Sequence, residues 1–319
     1  MGKSSDAMLL YRIAQYYYIE KMSQNEIALV ENISRSQISR LLGKAEEMGI
    51  VKFTVSLPQE FDNLSLEASL QSALGLQDAV VAPVPDFSGT QEDTEAITEA
   101  IATAAASYLP GKLKGCMTVG LGWGKAMYTT SLKIAYRHRG EELTYVPLIG
   151  LSGNTEPHLQ VNTIVDRMAE KYRARSYFVN TPAFREKMAP TTKNETVRQE
   201  KLREYWRKLD AAIVGLGAPP TDEMFVAELS PDYVEPLKNS GACGDILAQY
   251  FTEDGRVFDF GSAYSQVAYD IKYLPTLRTV VCIAGGREKV RGIIAAARLR
   301  YINNLVTDSA TAKYILSIV

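Results

Sequence analysis

Apolar residues over the first fifty positions return at helical spacing. Between Met8 and Glu20, the side chains of Leu9, Ile13, Tyr16 and Tyr17 fall near one face, which predicts a first helix. Ser23 and Glu26 stand at the spacing in which a serine caps a first turn and a glutamate reaches back to it, so a short second helix opens there and runs through Val30. Glu31-Asn32-Ile33 reads as a tight turn. Ser34 and Gln37 repeat the capping spacing and start a third helix, which runs to Met48 and stops at Gly49, the residue best suited to a left-handed cap. Ile50 to Leu57 is strand-like, and Pro58 begins a polar connector through Asn63.

The pattern then changes. A helix is expected over Leu64–Leu74, a short buried strand over Asp78–Val84 and an Ala- and Ile-rich helix over Gln91–Leu109. Apolar strand-like runs follow at Met117–Leu121, Thr144–Leu151, Ser176–Asn180, Ala211–Leu216, Thr279–Ala284 and Asn304–Val306. Helical stretches alternate with them: Ala126–Tyr136, Leu159–Tyr172, Val197–Leu209, Lys289–Arg300 and Ala310–Ile318. Strands separated by helices predict a doubly wound, mostly parallel α/β sheet, which binds ligands at the carboxyl ends of its strands. The expected division is a small helical domain over residues 1–56, a linker over 57–63 and an α/β domain over 64–319.

At 319 residues the chain is long enough for two such units. No apolar run approaches the ~20 residues of a bilayer span, and Met1 to Asp6 leads into no signal-like apolar segment. Cys116, Cys243 and Cys282 are too scattered for a zinc ligand set or a disulfide framework and read as buried thiols of a reducing compartment. A cytoplasmic protein without membrane contact or bound metal is expected.

A net charge of −2 gives no general affinity for nucleic acid, and residues 1–56 carry seven basic side chains against six acidic ones. Placement matters more. At about 100° per residue, Ile38, Leu41, Leu42, Ala45 and Met48 of the third helix gather on one side. Ser36, Ser39, Arg40, Gly43 and Lys44 occupy the other, with Arg35 and Gln37 flanking them. Arginine pairs bidentately with guanine, glutamine with adenine, and serine with base or phosphate. Two capped helices joined by a tight turn, the second with that face, predict a helix-turn-helix docking on operator DNA through Ser34, Arg35, Ser36, Gln37, Ser39, Arg40 and Lys44. Tyr16, Tyr17 and Tyr18 are assigned to packing between helices.

In the larger domain, Met117-Thr118-Val119 feeds Gly120-Leu121-Gly122-Trp123-Gly124, and a helix follows from Lys125 or Ala126. Glycines at a strand-to-helix turn let backbone amides approach an anion; a tight turn needing glycine geometry is the competing reading. A nucleotide P-loop is excluded, because Val119 stands where the first glycine is needed and Ala126 where a hydroxyl would hold magnesium. Gly244-Asp245-Ile246 puts a carboxylate beside a flexible turn, where it could accept bonds from sugar hydroxyls. Ala284-Gly285-Gly286 follows another strand, and Lys289 at the next helix start could neutralise a phosphate or complete a polar pocket with Asp245.

Taken in order, these segments resemble the SorC family of sugar-responsive bacterial regulators, with their DeoR-like sugar-binding domain. The resemblance rests on Ile13 to Tyr18, Met22 to Ala28, Ser34 to Leu42, Val119 to Gly124, Gly244 to Leu247, Ala284-Gly285-Gly286 with Lys289, and Leu305 to Asp308. It implies an effector domain related in fold to ribose-5-phosphate isomerase, glucosamine-phosphate deaminase and CoA transferases. It also implies a phosphorylated sugar as ligand and a homo-oligomer, usually a tetramer. The effector contacts expected on that basis are Gly120, Gly122, Trp123, Gly124, Lys125, Gly153, Asn162, Asp245 and Lys289. Ala126 departs from the Thr that many members carry there, and Gly150-Leu151 from a common Gly-Gly pair. The reading is of a regulator and not an enzyme. A sugar-phosphate isomerase or deaminase is the alternative, for which Asp245 and Lys289 would supply acid–base chemistry; a pure protein-interaction module would leave the glycine loops without a use.

Overall fold

In a computed structural model, residues 3–52, 62–84, 91–136, 142–153, 156–187, 192–220, 231–261 and 264–319 are described. The chain divides into two compact units, Met1–Pro58 and Gln59–Val319. The expected strand over Ile50–Leu57 and the connector to Asn63 fall largely outside the described residues.

The small unit is built on α1 (Lys3–Ala14), α2 (Gln24–Glu31) and α3 (Arg35–Glu47). The first helix differs from expectation: it begins at Lys3, and over Gln15–Ile19 it widens into a π-turn. The wider turn lets three successive tyrosines, Tyr16 to Tyr18, reach one core, which a 3.6-residue period would splay apart. Both capping boxes are present in full, Ser23 with Glu26 and Ser34 with Gln37. Asn32 at φ 54° ends α2, and Gly49 at φ 70° follows the C-cap of α3. Ile13, Ile27 and Ile38 are fully buried where the three helices meet, with Leu42 against them. Met48, expected on the packed side, is 54% exposed. It caps the helix, where the backbone is already turning away from the core. Arg12 of α1 donates two bonds of 2.6 Å to the Glu31 carboxylate of α2, and the Tyr18 hydroxyl donates to Glu46 of α3 at 2.6 Å.

In the large unit, the described residues form a seven-stranded parallel sheet in the order β1-β11-β10-β6-β2-β3-β4. The strands are β1 (Asp78–Ala82), β2 (Thr118–Leu121), β3 (Thr144–Pro147), β4 (Arg175–Ser176), β6 (Ala211–Gly215), β10 (Thr279–Ile283) and β11 (Asn304–Asp308). β2, β6, β10 and β11 are buried along almost their whole length, as a sheet covered on both faces requires. Helices α5 (Gln91–Lys112), α6 (Lys125–Lys133) and α7 (Val161–Tyr172) pack in series in one layer. Helix α4 (Asp62–Leu74) packs with the helices Val290–Arg298 and Ser309–Leu316 in the other. Helix α8 runs over Lys193–Trp206, earlier than the apolar periodicity suggests, because Thr192 and Glu195 form a capping box ahead of it.

Two corrections concern the strands. Only Arg175–Ser176 pair with β3, so the expected strand Ser176–Asn180 is cut short; the backbone of Val179 is bonded by the Asn162 side chain instead. Gly244–Ile246 is strand β7, paired antiparallel with β8 (Gln249–Phe251), and the turn expected beside Asp245 is the buried Leu247–Ala248 link between them. A second ribbon joins β5 (Phe184–Glu186) to β9 (Tyr264–Gln266).

Gly150 lies where a β-carbon would meet the Thr181 carbonyl and the Ala183 amide at 2.6 Å, both backbone atoms that cannot yield. Gly150→Ala is therefore expected to destabilise the large unit by roughly 1–3 kcal/mol, as overpacking of a core does. Gly43→Ala, on α3 with open space around it, is expected to stabilise the small unit by roughly 0.5–1 kcal/mol. Urea melts of the two variants against the parent chain check both signs.

Candidate functional site

The order of the sheet creates a reversal. From β2 the chain builds outward through β3 and β4, then returns to lay β6 on the other side of β2 and continues to β10 and β11. Loops leaving β2 and β6 must diverge, and they leave a crevice at their carboxyl ends. A cleft of about 610 Å³ lies there. It is lined by Trp123 to Ala126 after β2, Gly215 to Pro220 after β6, Gly285 to Lys289 after β10, and Asp308, Ala310, Thr311 and Tyr314 after β11. Thr94, Ile97 and Thr98 of α5 face it, as do Asp245, Leu247 and Tyr250 of the β7–β8 hairpin.

Of the residues expected in an effector site, Trp123, Gly124, Lys125, Asp245 and Lys289 line this one cleft. Gly120, Gly122, Gly153 and Asn162 do not. Gly120 is a buried strand residue whose missing side chain makes room for Leu148. Gly122 accommodates Leu247 and the Val214 backbone, so both glycines serve packing. Asn162 exchanges hydrogen bonds with the Val179 backbone, donating at 2.6 Å and accepting at 3.0 Å, which orients its amide toward that backbone. Gly153 is exposed.

Gly124 and Gly286 occupy equivalent posts. Each follows a strand, adopts φ near +110° and precedes a helical turn that no side chain caps. Helices α2, α3 and α8 are all capped by hydroxyl side chains. Uncapped first-turn amides at the mouth of a cleft are anion ligands in waiting. The neighbouring strand end is tied down differently: Asp308 accepts from the Thr311 amide at 2.8 Å and hydroxyl at 2.6 Å, and the same hydroxyl accepts from the Gly286 amide.

Asp245 is a buried acid of the cleft. Its carboxylate rests on the α-carbon of Gly217, where a methyl group has no room, and accepts from the Ala248 amide at 3.0 Å. Burial pushes this carboxyl up to about 6, against the Ala248 bond and the charge of Lys289, which both favour its ionised form. The turn that supplies the amide is strained: Leu247 and Ala248 both sit at φ 55°. A left-handed residue with a β-carbon costs roughly 1–2 kcal/mol, and two-residue hairpin turns of this kind normally use Asn-Gly. The cysteines stay out of the chemistry. Burial raises Cys243 to about 11 and Cys282 to about 12, so both remain thiols.

Sequence reasoning missed the Gly215 to Pro220 wall. The signal was present: Val214-Gly215-Leu216-Gly217 repeats Val119-Gly120-Leu121-Gly122 at the end of an adjacent strand.

On the small unit, Arg35, Ser36, Ser39, Arg40, Gly43 and Lys44 of α3 are exposed, with Ile38, Leu42 and Ala45 buried behind them. Ser34 and Gln37 are exposed too, yet already committed. The Gln37 carbonyl oxygen accepts from the Ser34 amide at 2.9 Å, so its bidentate use on adenine would break the cap.

Comparison with known proteins places this architecture among transcriptional regulators that carry a sugar-binding domain. A family model described as "Putative sugar-binding domain" matches residues 59–317. Over 322 residues the chain is 30% identical to the sorbitol operon regulator of Klebsiella pneumoniae, covering 99% of this chain and 100% of that protein. It is 28% identical over 313 residues to the deoxyribonucleoside regulator of Bacillus subtilis (strain 168), covering 95% and 96%. The crystal structure of the full-length Klebsiella regulator, SorC, matches with a TM-score of 0.70 over 98% of this chain and 99% of that one, at 30% identity. The chain belongs to the SorC family of sugar-binding transcriptional regulators.

The raised Asp245 carboxyl has a measurable consequence. The folded chain keeps this proton up to about pH 6, whereas the unfolded chain releases it near the ordinary aspartate value of 3.8. Between those values the folded state binds more protons, so its stability falls as pH rises. Asp245→Asn keeps an acceptor for Ala248 without the buried charge. Relative to the parent it is expected to gain up to about 3 kcal/mol above pH 6, the gain closing as pH falls below 4; thermal melts from pH 4 to 8 read it out.

Proposed function

We propose that this protein is a bacterial, cytoplasmic regulator of a carbohydrate-catabolic operon, which binds operator DNA through α2 and α3 and is controlled by a phosphorylated sugar held in the cleft. The observation that carries the effector reading is the uncapped start of α6 at Gly124, facing Asp245 and Lys289 across the same cleft. A sugar phosphate needs an anion seat and a hydroxyl acceptor a few ångströms apart. The Lys125 and Ala126 amides, with the charges of Lys125 and Lys289, supply the first. Asp245 supplies the second in its ionised form, which prevails above pH 6.

The DNA reading rests on the outward face of α3. Ser36 and Ser39 offer hydroxyls there, and Arg35, Arg40 and Lys44 form no ion pair with described residues, whereas Arg12 is consumed by Glu31. In a helix-turn-helix such side chains enter the major groove, and half-sites one helical turn apart call for two copies in fixed register, as in a homo-oligomer, here a tetramer. Effector binding that alters that register changes operator occupancy, and DNA must alter effector affinity by the same factor. A second reading as a sugar-phosphate isomerase or deaminase rests on Asp245 beside Lys289, an acid–base pair. Full-length similarity to regulators favours the first.

Arg40→Ala is expected to weaken binding to a duplex selected by the parent protein by about tenfold or more, and to flatten the salt dependence of log K by about one if Arg40 contacts phosphate. Unchanged affinity at matched salt would remove α3 as the reading element. For the cleft, a thermal-shift panel of ribose 5-phosphate, fructose 6-phosphate and sorbitol 6-phosphate is the test. A true effector at ~100 times its dissociation constant stabilises by about 2.7 kcal/mol without being turned over, and conversion of any panel member to product would favour the enzyme reading.

A further inference from the structure

Asp245 lines the cleft, but what holds it lies outside. Its carboxylate accepts from the Ala248 amide, and that amide points at it only while Leu247 and Ala248 both keep φ near +55°. Neither residue is a glycine, so the turn has to be held from elsewhere. Behind it stands Gln266, the last residue of β9, whose side-chain amide donates to the Ala248 carbonyl at 2.9 Å and to the Leu247 carbonyl at 3.4 Å. Both carbonyls belong to buried residues. Gln266 itself is fixed by the ribbon, pairing with Phe184 of β5, and it does not line the cleft. The turn reaches the far wall as well, because the Leu247 side chain fills the space left by Gly122 in the loop that carries Trp123 and Gly124.

We infer that Gln266 is a positioning residue for effector binding: by clamping the left-handed Leu247–Ala248 turn, it keeps the Ala248 amide on the Asp245 carboxylate and that carboxylate ready for a ligand hydroxyl. This rests on the reading of the cleft as an effector site. The mechanism fixes a direction. Without the clamp the turn relaxes, the Ala248 amide leaves, and Asp245 loses a bond that favours its ionised form. The other ionisable groups around it are Lys289, which acts on it directly, Tyr250, its partner across the hairpin, Cys243 just before β7, and Lys125, Arg287, Glu288 and Asp308, which line the same cleft.

Gln266→Leu removes both donors. The first readout needs no ligand: the folded-state midpoint of Asp245, read as the pH at which the stability gain of Asp245→Asn over the parent levels off, is measured with and without Gln266→Leu and should move upward from about 6. The second is calorimetric affinity for ribose 5-phosphate, fructose 6-phosphate and sorbitol 6-phosphate, which should fall about tenfold for whichever of them the parent binds, a change of about 1.4 kcal/mol. Adding Ala248→Gly, which takes φ +55° without strain, should restore both. An unmoved pH midpoint with unchanged affinity in a folded Gln266→Leu protein overturns the inference. If the parent binds none of the three, the effector reading fails on this panel and the pH midpoint alone decides the role of Gln266. If Gln266→Leu does not fold, Ala248→Gly in the parent decides: a higher melting temperature with the midpoint kept near 6 supports the clamp, and a lower one overturns it.

Discussion

A carboxylate taken out of water has to be held by the backbone, and in this protein the holding of Asp245 organises everything around the cleft. One oxygen accepts from Ala248 and the other lies over the α-carbon of Gly217, so the hairpin β7–β8 and the loop after β6 are fixed relative to each other. The antiparallel bridge between Gly217 and Asp245 reinforces that contact, with their backbones bonded in both directions. On the other side, Gly292 of the helix Val290–Arg298 packs on Gly244 and the Cys243 carbonyl, with no space for side chains between them. Glycine is demanded at 217, 244 and 292 by close approach of backbones and not by dihedral angle. The acid that lines the cleft is thus set by backbone contacts of the hairpin, the loop after β6 and the helix Val290–Arg298.

The sheet order explains why the cleft lies where it does. Six crossings between parallel strands bury both faces, which leaves the strand ends as the places where side chains can converge on a solute. β2 and β6 are neighbours in space and far apart in the chain, and their loops part. The cleft extends from there across β10 and β11, so it collects the two glycine turns at 124 and 286.

Much of this was legible in the sequence, and the limits have physical causes. Alternation of apolar runs with amphipathic stretches located six of the seven strands of the main sheet, because parallel strands buried on both faces are nearly continuously apolar, and it met the exposed edge strand β4 only at Ser176. The capping residues Ser23 and Ser34 placed the small helices, since a cap is a local device. The ribbons β5–β9 and β7–β8 left no trace, because their strands are three residues long and those of β5–β9 lie far apart in the chain. The Gly-rich segments could be found but not sorted. Gly120 and Gly124 look alike in sequence, and only the neighbourhood of Leu148 shows that the first is packing while the second opens toward solvent.

The same sorting applies to polar residues, and it defines what each can do. A side chain whose hydrogen-bonding groups are committed to the fold is not available to a ligand without breaking what it holds. Asn162 is spent on Val179, Arg12 on Glu31, and the Gln37 oxygen on the cap of its own helix. On the outward face of α3, Arg35, Arg40 and Lys44 form no ion pair with described residues, and Lys125 and Lys289 line the cleft. A chain with a net charge of −2 needs no general excess of base to bind an anion. It needs acids engaged in capping and pairing, as Glu26, Glu31 and Glu195 are, so that a few cations and helix amides remain unopposed where an anion can reach them.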